Sequence, residues 1–471
     1  MITLLSAELF RLELRARMPF RYGIATMTDV PQIIVRLTFE IDGASETGLA
    51  ADLLPPKWFT KDPARSLADE VDEMLRVIQA AIDHARGIRA ATGFQFWREL
   101  YAAQAAWAQA ENLPPLLSNF GTSFVERGLI HALCRARRTS LAAALRDDLF
   151  GIDLGALHPE LGGVKPRDFL PAVPPPDIIA RHTIGLADLI QSDEVTPAER
   201  VPDGLPQSLD ECIRFYGLRH FKVKINGEGA RDLDRLTRMT AVLEAECGGD
   251  YAFSLDGNEC FHDVGSFADY YRRLRAQPAL QPLWSHLLYV EQPWHRSVAL
   301  SAAIGELARA WPDRPPIIID ESDGALDSLS TALSLGYAGT SHKNCKGVFK
   351  SVANAGLLAQ RRARGLPAVL SGEDLCNVGP LSTLQDLAAQ AALGVTSVER
   401  NGHHYFTGLE QFPRALQRHA IEQHPDLYVL LPSGSPRLDI RAGKLALATV
   451  NAAPFGIPGE VDLSALPVES I

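Results

Sequence analysis

Apolar and polar residues alternate at every second position near the start of the chain, then at every third or fourth, and that change of period marks the elements. Residues 3–16 and the run from Ile33 to Gly43 read as strands, the second ending in an Asp42-Gly43 turn. Residues 64–84, 94–111 and about 122–148 carry helical spacing instead. Strands first and helices after is an α+β pattern, which predicts a separate domain over 1–150. In 151–178, the Leu161–Pro166 and Pro171–Pro176 runs can continue neither a helix nor a central strand, so the segment reads as a crossover. A second polar, proline-containing stretch at about 192–206 reads as an insertion near the rim of the second domain.

From residue 179 a rhythm sets in. Short apolar runs ending in polar residues fall at 180–186, 220–225, 251–256, 287–291, 317–320, 339–343, 367–371 and 396–399. Helix-like stretches such as 229–246, 265–276, 347–363 and 381–393 lie between them. Strictly alternating strands and helices imply a parallel sheet, and eight such units imply a closed (β/α)8 TIM barrel over 179–436. An open doubly wound sheet would carry a glycine-rich phosphate turn after its first strand, and none is present in the sequence. Residues 437–471 resume strand alternation (Arg437–Arg441, Lys444–Ala448) and are expected to return to the N-terminal domain and complete it. The length of 471 residues suits a barrel of roughly 250 residues with an added α+β capping domain.

Composition narrows the class. Apolar residues make up 46% and charged residues 22%, the profile of a globular chain with a sizeable core. A net charge of −11 argues against nucleic-acid binding, which needs basic patches to neutralise phosphates. The six cysteines are scattered with no C-x-x-C pair, so neither a structural zinc site nor a disulfide framework is expected. The opening apolar run is short and soon meets Glu8, and no apolar stretch approaches the ~20 residues of a spanning helix. The expectation is a cytoplasmic protein without a membrane partner.

The strand ends carry the chemistry. Barrel strands converge at their C-terminal ends, which brings Lys222, Lys224, Asp256, Glu291, Asp320, Glu321, Lys343, Glu373 and Glu399 to one mouth. Three successive strands ending in Asp256, Glu291 and Asp320 make a hard, all-oxygen site that suits Mg²⁺, with Mn²⁺ as the alternative. Lys224 on the second strand and Lys343 on the sixth would approach a substrate from opposite faces. A free lysine, with pKa ~10.4, is a poor base at neutral pH. Lys222, two residues from Lys224, and the metal would lower that value by like-charge repulsion.

These motifs in order (Lys222-Val-Lys224, Asp256-Gly-Asn258-Glu, Val290-Glu291-Gln-Pro and Ile319-Asp320-Glu321-Ser) resemble the successive barrel motifs of the enolase superfamily. The muconate lactonizing enzyme and mandelate racemase-like group is the nearest match. Met18-Pro-Phe-Arg-Tyr22 resembles the mobile specificity loop of that family's capping domain, which places Tyr22 at the pocket. The resemblance covers nearly the whole chain. It implies Mg²⁺ on Asp256, Glu291 and Asp320, a small carboxylate substrate, and an enediolate formed on loss of the α-proton. Lys224 would move the proton on one face and Lys343 on the other. Two active lysines imply racemisation or epimerisation; one implies cycloisomerisation, or elimination as in a sugar-acid dehydratase. A homo-oligomer is also implied.

The sequence departs from the family pattern in places. The sixth-strand lysine of the family precedes a Gly-Gly pair by five residues, whereas Lys343 is followed by the single Gly347, which leaves Lys346 and His342 as rivals. Strand seven offers no histidine for a His–Asp dyad, and strand eight lacks the Asp-x-Asp of dipeptide epimerases. Plainer readings also exist. Each strand-end aspartate could cap a helix, Lys343 could be a surface lysine, Glu373 and Glu399 could pair with buried lysines, and His403-His404 could be an ordinary loop pair. A barrel retired from catalysis and kept for binding is the reading from another class, and a lost metal ligand would mark it. A metal-free glycosidase has no use for paired lysines.

Overall fold

The computed structural model describes every residue except Glu306, Ser470 and Ile471. Three strands, β1 (Ile2–Tyr22), β2 (Ala25–Ile41) and β3 (Ala44–Leu53), form an antiparallel meander. Asp42 and Gly43 turn between the last two with φ of 52° and 85°, the paired positive angles that a two-residue hairpin demands. The β1–β2 hairpin is long. Phe20 stands opposite Met27 and Tyr22 opposite Ala25 at its far end.

Helices cover this sheet. Leu67–Arg86 starts at a capping box, in which Ser66 accepts from the Asp69 amide and Asp69 accepts from the Ser66 amide. It buries Val71, Met74, Ile78, Ala81, Ile82 and Ala85, one face at three- and four-residue spacing. The stretch expected as one helix over 122–148 is two, Pro115–Ala136 and Leu141–Arg146. Arg138 breaks it with a left-handed φ of 48°, and Ser140 caps the second piece. Pro115–Ala136 is buried along nearly its whole length because it lies between the sheet and the barrel. Two glycines allow that approach: a Cβ on Gly48 would meet the Gly128 carbonyl oxygen at 1.8 Å.

The barrel strands are β4 (Asp177–Ile184), β5 (His220–Lys224), β6 (Ala252–Asp256), β7 (Leu287–Glu291), β8 (Ile317–Ile319), β9 (Gly339–His342), β10 (Val369–Gly372) and β11 (Ser397–Arg400). They form one parallel ring, closed by pairing of β11 with β4. The C-terminal segment divides, contrary to the expectation that all of it joins the cap. Lys444–Ala446 adds antiparallel to β4 of the barrel, and only Val468–Glu469 pairs with β1. The cap is anchored through Glu126, whose carboxylate accepts the Val348 and Phe349 amides at 3.0 and 2.7 Å. Those amides open the helix Val348–Ala363, where unpaired N–H groups and the helix dipole favour an acceptor. No helix among the described residues is long and apolar enough to cross a membrane.

Candidate active site

Side chains alternate along a strand, so Lys222 and Lys224 both face into the barrel with Val223 between them. In register across β5, β6 and β7 stand Lys224, Asp256 and Glu291; Asp320 follows β8 directly. The floor is a dense ionic lattice. Lys222 Nζ lies 2.8 Å from Glu291 and from Glu399, 3.0 Å from Glu373 and 3.3 Å from Asp256. Lys343 Nζ donates to both Asp320 oxygens at 2.8 and 2.9 Å and to Glu373 at 2.5 Å. Lys224 Nζ donates to Asp256 at 2.7 Å and to Asn258 Oδ1 at 3.0 Å.

Neither rival of Lys343 lines the cleft. Lys346 Nζ is sunk onto the Asp320 carboxylate and carbonyl oxygens at 2.7 and 2.8 Å and onto Ser341. His342 faces out of the barrel, with Nδ1 against the Ser351 hydroxyl. Lys222, Lys224, Asp256, Asn258, Asp320, Glu321, Lys343, Glu399 and Tyr22 all line one cleft, while Glu291 and Glu373 are buried beneath its floor. Trp294 is fully buried, its indole N–H on the Asp263 carbonyl oxygen. His403 and His404 are buried too, not surface loop residues.

The carboxylates of the floor decide the charge of each lysine. Burial pulls Lys224 down and Lys222 pulls the same way, but Asp256 and Glu399 outweigh both and hold it above the ordinary lysine value. Burial likewise opposes the Lys222 and Lys343 charges, and the carboxylates around each hold them well above it. Burial would raise Asp320 and Glu373, yet Lys343 with Lys346 keeps the first low and Lys222 with Lys343 keeps the second low. Glu291 goes the other way. Burial and the Glu373 charge push it well above the carboxylate range, against the pull of Lys222. Glu321 is pushed up to about 7 by burial and by the Glu259 and Asp320 charges.

Some residues of the site were not singled out in the sequence, although the capping loops near 18–28 and 50–60 that carry Phe20, Met27 and Trp58 were expected to shape the pocket. Arg181 on β4 reaches inward to Ser371 at 2.7 Å, and a charged residue in an apolar parallel strand was the available signal. Phe20 and Met27 from the hairpin, and Trp58 and Lys61 beyond β3, come down as a lid. Lys343 Nζ sits 5.3 Å from the Trp58 ring centroid, within cation–π range. The Tyr22 hydroxyl donates to the Pro56 carbonyl oxygen at 2.7 Å, which ties hairpin to loop and leaves the ring facing the cleft. Thus the floor is charged and the lid is largely apolar.

The donor set fits a hard divalent cation. Oxygen atoms of Glu291, Asp320 and Glu373 lie within 4.8 Å of one another, and Glu291 Oε2 is buried without a hydrogen-bond partner. Asp256 is not in that tight group, and its Oδ2 faces Lys224 and Lys222 instead. Carboxylate oxygens alone favour Mg²⁺ over softer metals.

No family model and no curated protein matches the chain. Solved structures do. A mandelate racemase/muconate lactonizing protein from Herpetosiphon aurantiacus is 17% identical, with 96% of this chain and 98% of that chain covered at a TM-score of 0.56. Muconate lactonizing enzyme from Pseudomonas fluorescens, complexed with muconolactone, is 17% identical over 98% and 97% of the two chains at 0.58. An enolase from Bradyrhizobium, complexed with magnesium and mandelic acid, is 13% identical over 94% and 93% at 0.57. Along nearly its entire length, cap and barrel together, the chain shares the fold of this mandelate racemase, muconate lactonizing and enolase group.

Proposed function

We propose that the chain is a Mg²⁺-dependent isomerase or lyase that removes the proton next to the carboxylate of a small substrate, by way of an enediolate. The observation that carries this reading is the pair Lys224 and Lys343. They project from β5 and β9, four strands apart in a ring of eight, into one cleft above clustered carboxylates. When bound by Asp256, Glu291 and Asp320, Mg²⁺ would supply a Lewis acid for the substrate carboxylate.

The chain's own groups do the rest. Lys224 Nζ takes or returns the proton on one face, and Lys343 Nζ on the other. In the arrangement seen, both are held as ammonium groups; to act as the base, one must first give a proton to solvent as its carboxylate partner is drawn away, while the other stays an ammonium donor. Lys222 holds Glu291, Glu373 and Glu399 in place and presents positive charge to the substrate carboxylate. Asn258 steadies Lys224, and Glu321, near 7, can exchange a proton at neutral pH. The lid of Phe20, Tyr22, Met27 and Trp58 excludes water and favours a substrate with an apolar substituent. Those rings speak for a racemase, epimerase or cycloisomerase over a sugar-acid dehydratase. The mandelic acid bound with magnesium by the Bradyrhizobium enolase supports an aryl-bearing acid.

The test is isotope exchange in D₂O with pooled aryl-hydroxy, N-acyl-amino and sugar acids, with Mg²⁺ and with EDTA, read by mass spectrometry. Mg²⁺-dependent deuterium uptake beside a carboxylate is expected. Folded protein that neither exchanges a proton nor binds Mg²⁺ would establish the retired-barrel reading instead.

A further inference from the structure

A second cluster lies behind the barrel wall. On β4, Arg181 and Thr183 point inward to Ser371 and Glu399, so His182 between them points out. It meets Cys212, on the helix Leu209–Tyr216 that follows β4, and His404, in the turn Gly402–Tyr405 that follows β11. One ligand atom from each of these three lies within 4.8 Å of the others, and all three residues are buried. Cys212 Sγ is 3.5 Å from His404 Nδ1, and His182 Nδ1 is 3.1 Å from His403 Nε2. At that separation one ring nitrogen carries a proton and the other accepts it. His403 Nδ1 is buried with no hydrogen-bond partner.

We propose that His182, Cys212 and His404 form a binding site for zinc, with the fourth position open to water or to the adjacent His403 ring. Imidazole nitrogen and thiolate sulfur select a borderline-soft tetrahedral ion, whereas the oxygen-only floor of the cleft selects a hard one. Binding displaces the Cys212 thiol proton to solvent. Asp188, which accepts from the Tyr405 hydroxyl at 2.6 Å, places negative charge near both His182 and Cys212 to offset the ion. The site straddles the seam where β11 closes on β4. The same turn receives Arg17 of β1 on the His404 carbonyl oxygen at 3.0 Å, and Tyr405 stacks on Phe20 of the lid at 4.2 Å. An ion there braces both the barrel closure and the hairpin over the cleft. Cysteine spacing hid it because its ligands come from three distant segments.

The experiment uses chelator-stripped full-length protein in excess Mg²⁺, which occupies the carboxylate floor. Zinc is titrated against a chromophoric competitor, and cobalt is then substituted to read the thiolate-to-metal absorption band. We expect one zinc held against excess Mg²⁺, a cobalt–thiolate band, and loss of that band in Cys212→Ser with at least about tenfold weaker zinc binding. Cys260→Ser, which changes a different thiol, keeps both. No zinc uptake by the wild-type protein overturns the proposal, as does a band that survives Cys212→Ser or disappears in Cys260→Ser. The wild-type titration decides uptake even if Cys212→Ser does not fold, and His404→Gln then tests the ligand assignment.

Discussion

Lys224 Nζ lies 2.7 Å from Asp256 Oδ2, so the lysine best placed to move a proton is held as an ammonium by a carboxylate of the same floor. Charge alone and proton transfer are therefore separable roles for Lys224. Lys224→Arg keeps the charge but cannot deprotonate in a protein. If Lys224 is a proton carrier, Lys224→Ala and Lys224→Arg should both lower deuterium exchange by about 10²–10⁴-fold. Mass spectrometry of the exchanged acid reads this, with circular dichroism as the folding control. Substantial activity in Lys224→Arg would leave Lys224 only an electrostatic role.

Glu291 and Asp320 sit in one carboxylate cluster, yet their neutralisation should affect stability in opposite ways. Glu291 is already held toward its neutral form by burial and by Glu373, so Glu291→Gln should unfold at a similar or higher denaturant concentration than wild type. Asp320 is a different case, since Lys343 and Lys346 both rest on it. Asp320→Asn leaves Lys346 buried without a carboxylate and Lys343 with Glu373 alone, and should cost about 3–5 kcal/mol. Both variants should weaken Mg²⁺ binding by calorimetry. Equal stability losses in urea would refute the assigned charge states.

The barrel was legible because buried parallel strands read as short apolar runs, and their polar last residues mark the mouth. The Ser341, His342, Lys343 alternation already contained the answer to which sixth-strand residue faces inward, although the missing second glycine obscured it. β3 was missed. Its Ala44-Ser-Glu-Thr-Gly-Leu-Ala-Ala-Asp-Leu has small and acidic residues where β-branched ones are usual, and Gly48 is there for the helix against it. The lid was legible only as loops, since Trp58 reaches Lys343 through tertiary folding. The carboxylates that hold each ammonium were not legible as its partners, because they arrive from other strands.

Glu126 provides a pH test of the cap–barrel junction. Burial pushes its carboxyl up from an ordinary 4.5 to about 7, against the pull of the Phe349 and Val348 amides. The folded state then binds the proton more tightly than the unfolded state does. The resulting stabilisation is complete below 4.5 and is lost as pH rises toward 7. Glu126→Gln removes the titration. Urea midpoints of wild type and Glu126→Gln should therefore diverge between pH 5 and pH 7.5, with wild type losing relative stability as pH rises. Parallel curves would show that Glu126 does not titrate there.

Gly48 should tolerate an added methyl group poorly. An alanine Cβ would fall 1.8 Å from the Gly128 carbonyl oxygen and 2.9 Å from the Ala132 nitrogen, both backbone atoms of the helix Pro115–Ala136. Backbone cannot swing aside as a side chain does, so the helix must move as a body. That helix carries Glu126 into the barrel and Arg127 onto Asp52 at 3.2 Å, so the cap moves with it. Gly48→Ala should cost about 1–3 kcal/mol or more from overpacking. It should also loosen the lid, seen as faster proteolysis in the 50–60 loop. Gly229→Ala is the control, since nothing lies within 4 Å of its Cβ and it is an exposed residue at the start of a helix. It should stay within about 0.5 kcal/mol of wild type. If thermal melts show the two substitutions to be equally mild, the helix is not pressed against β3 as the structure has it.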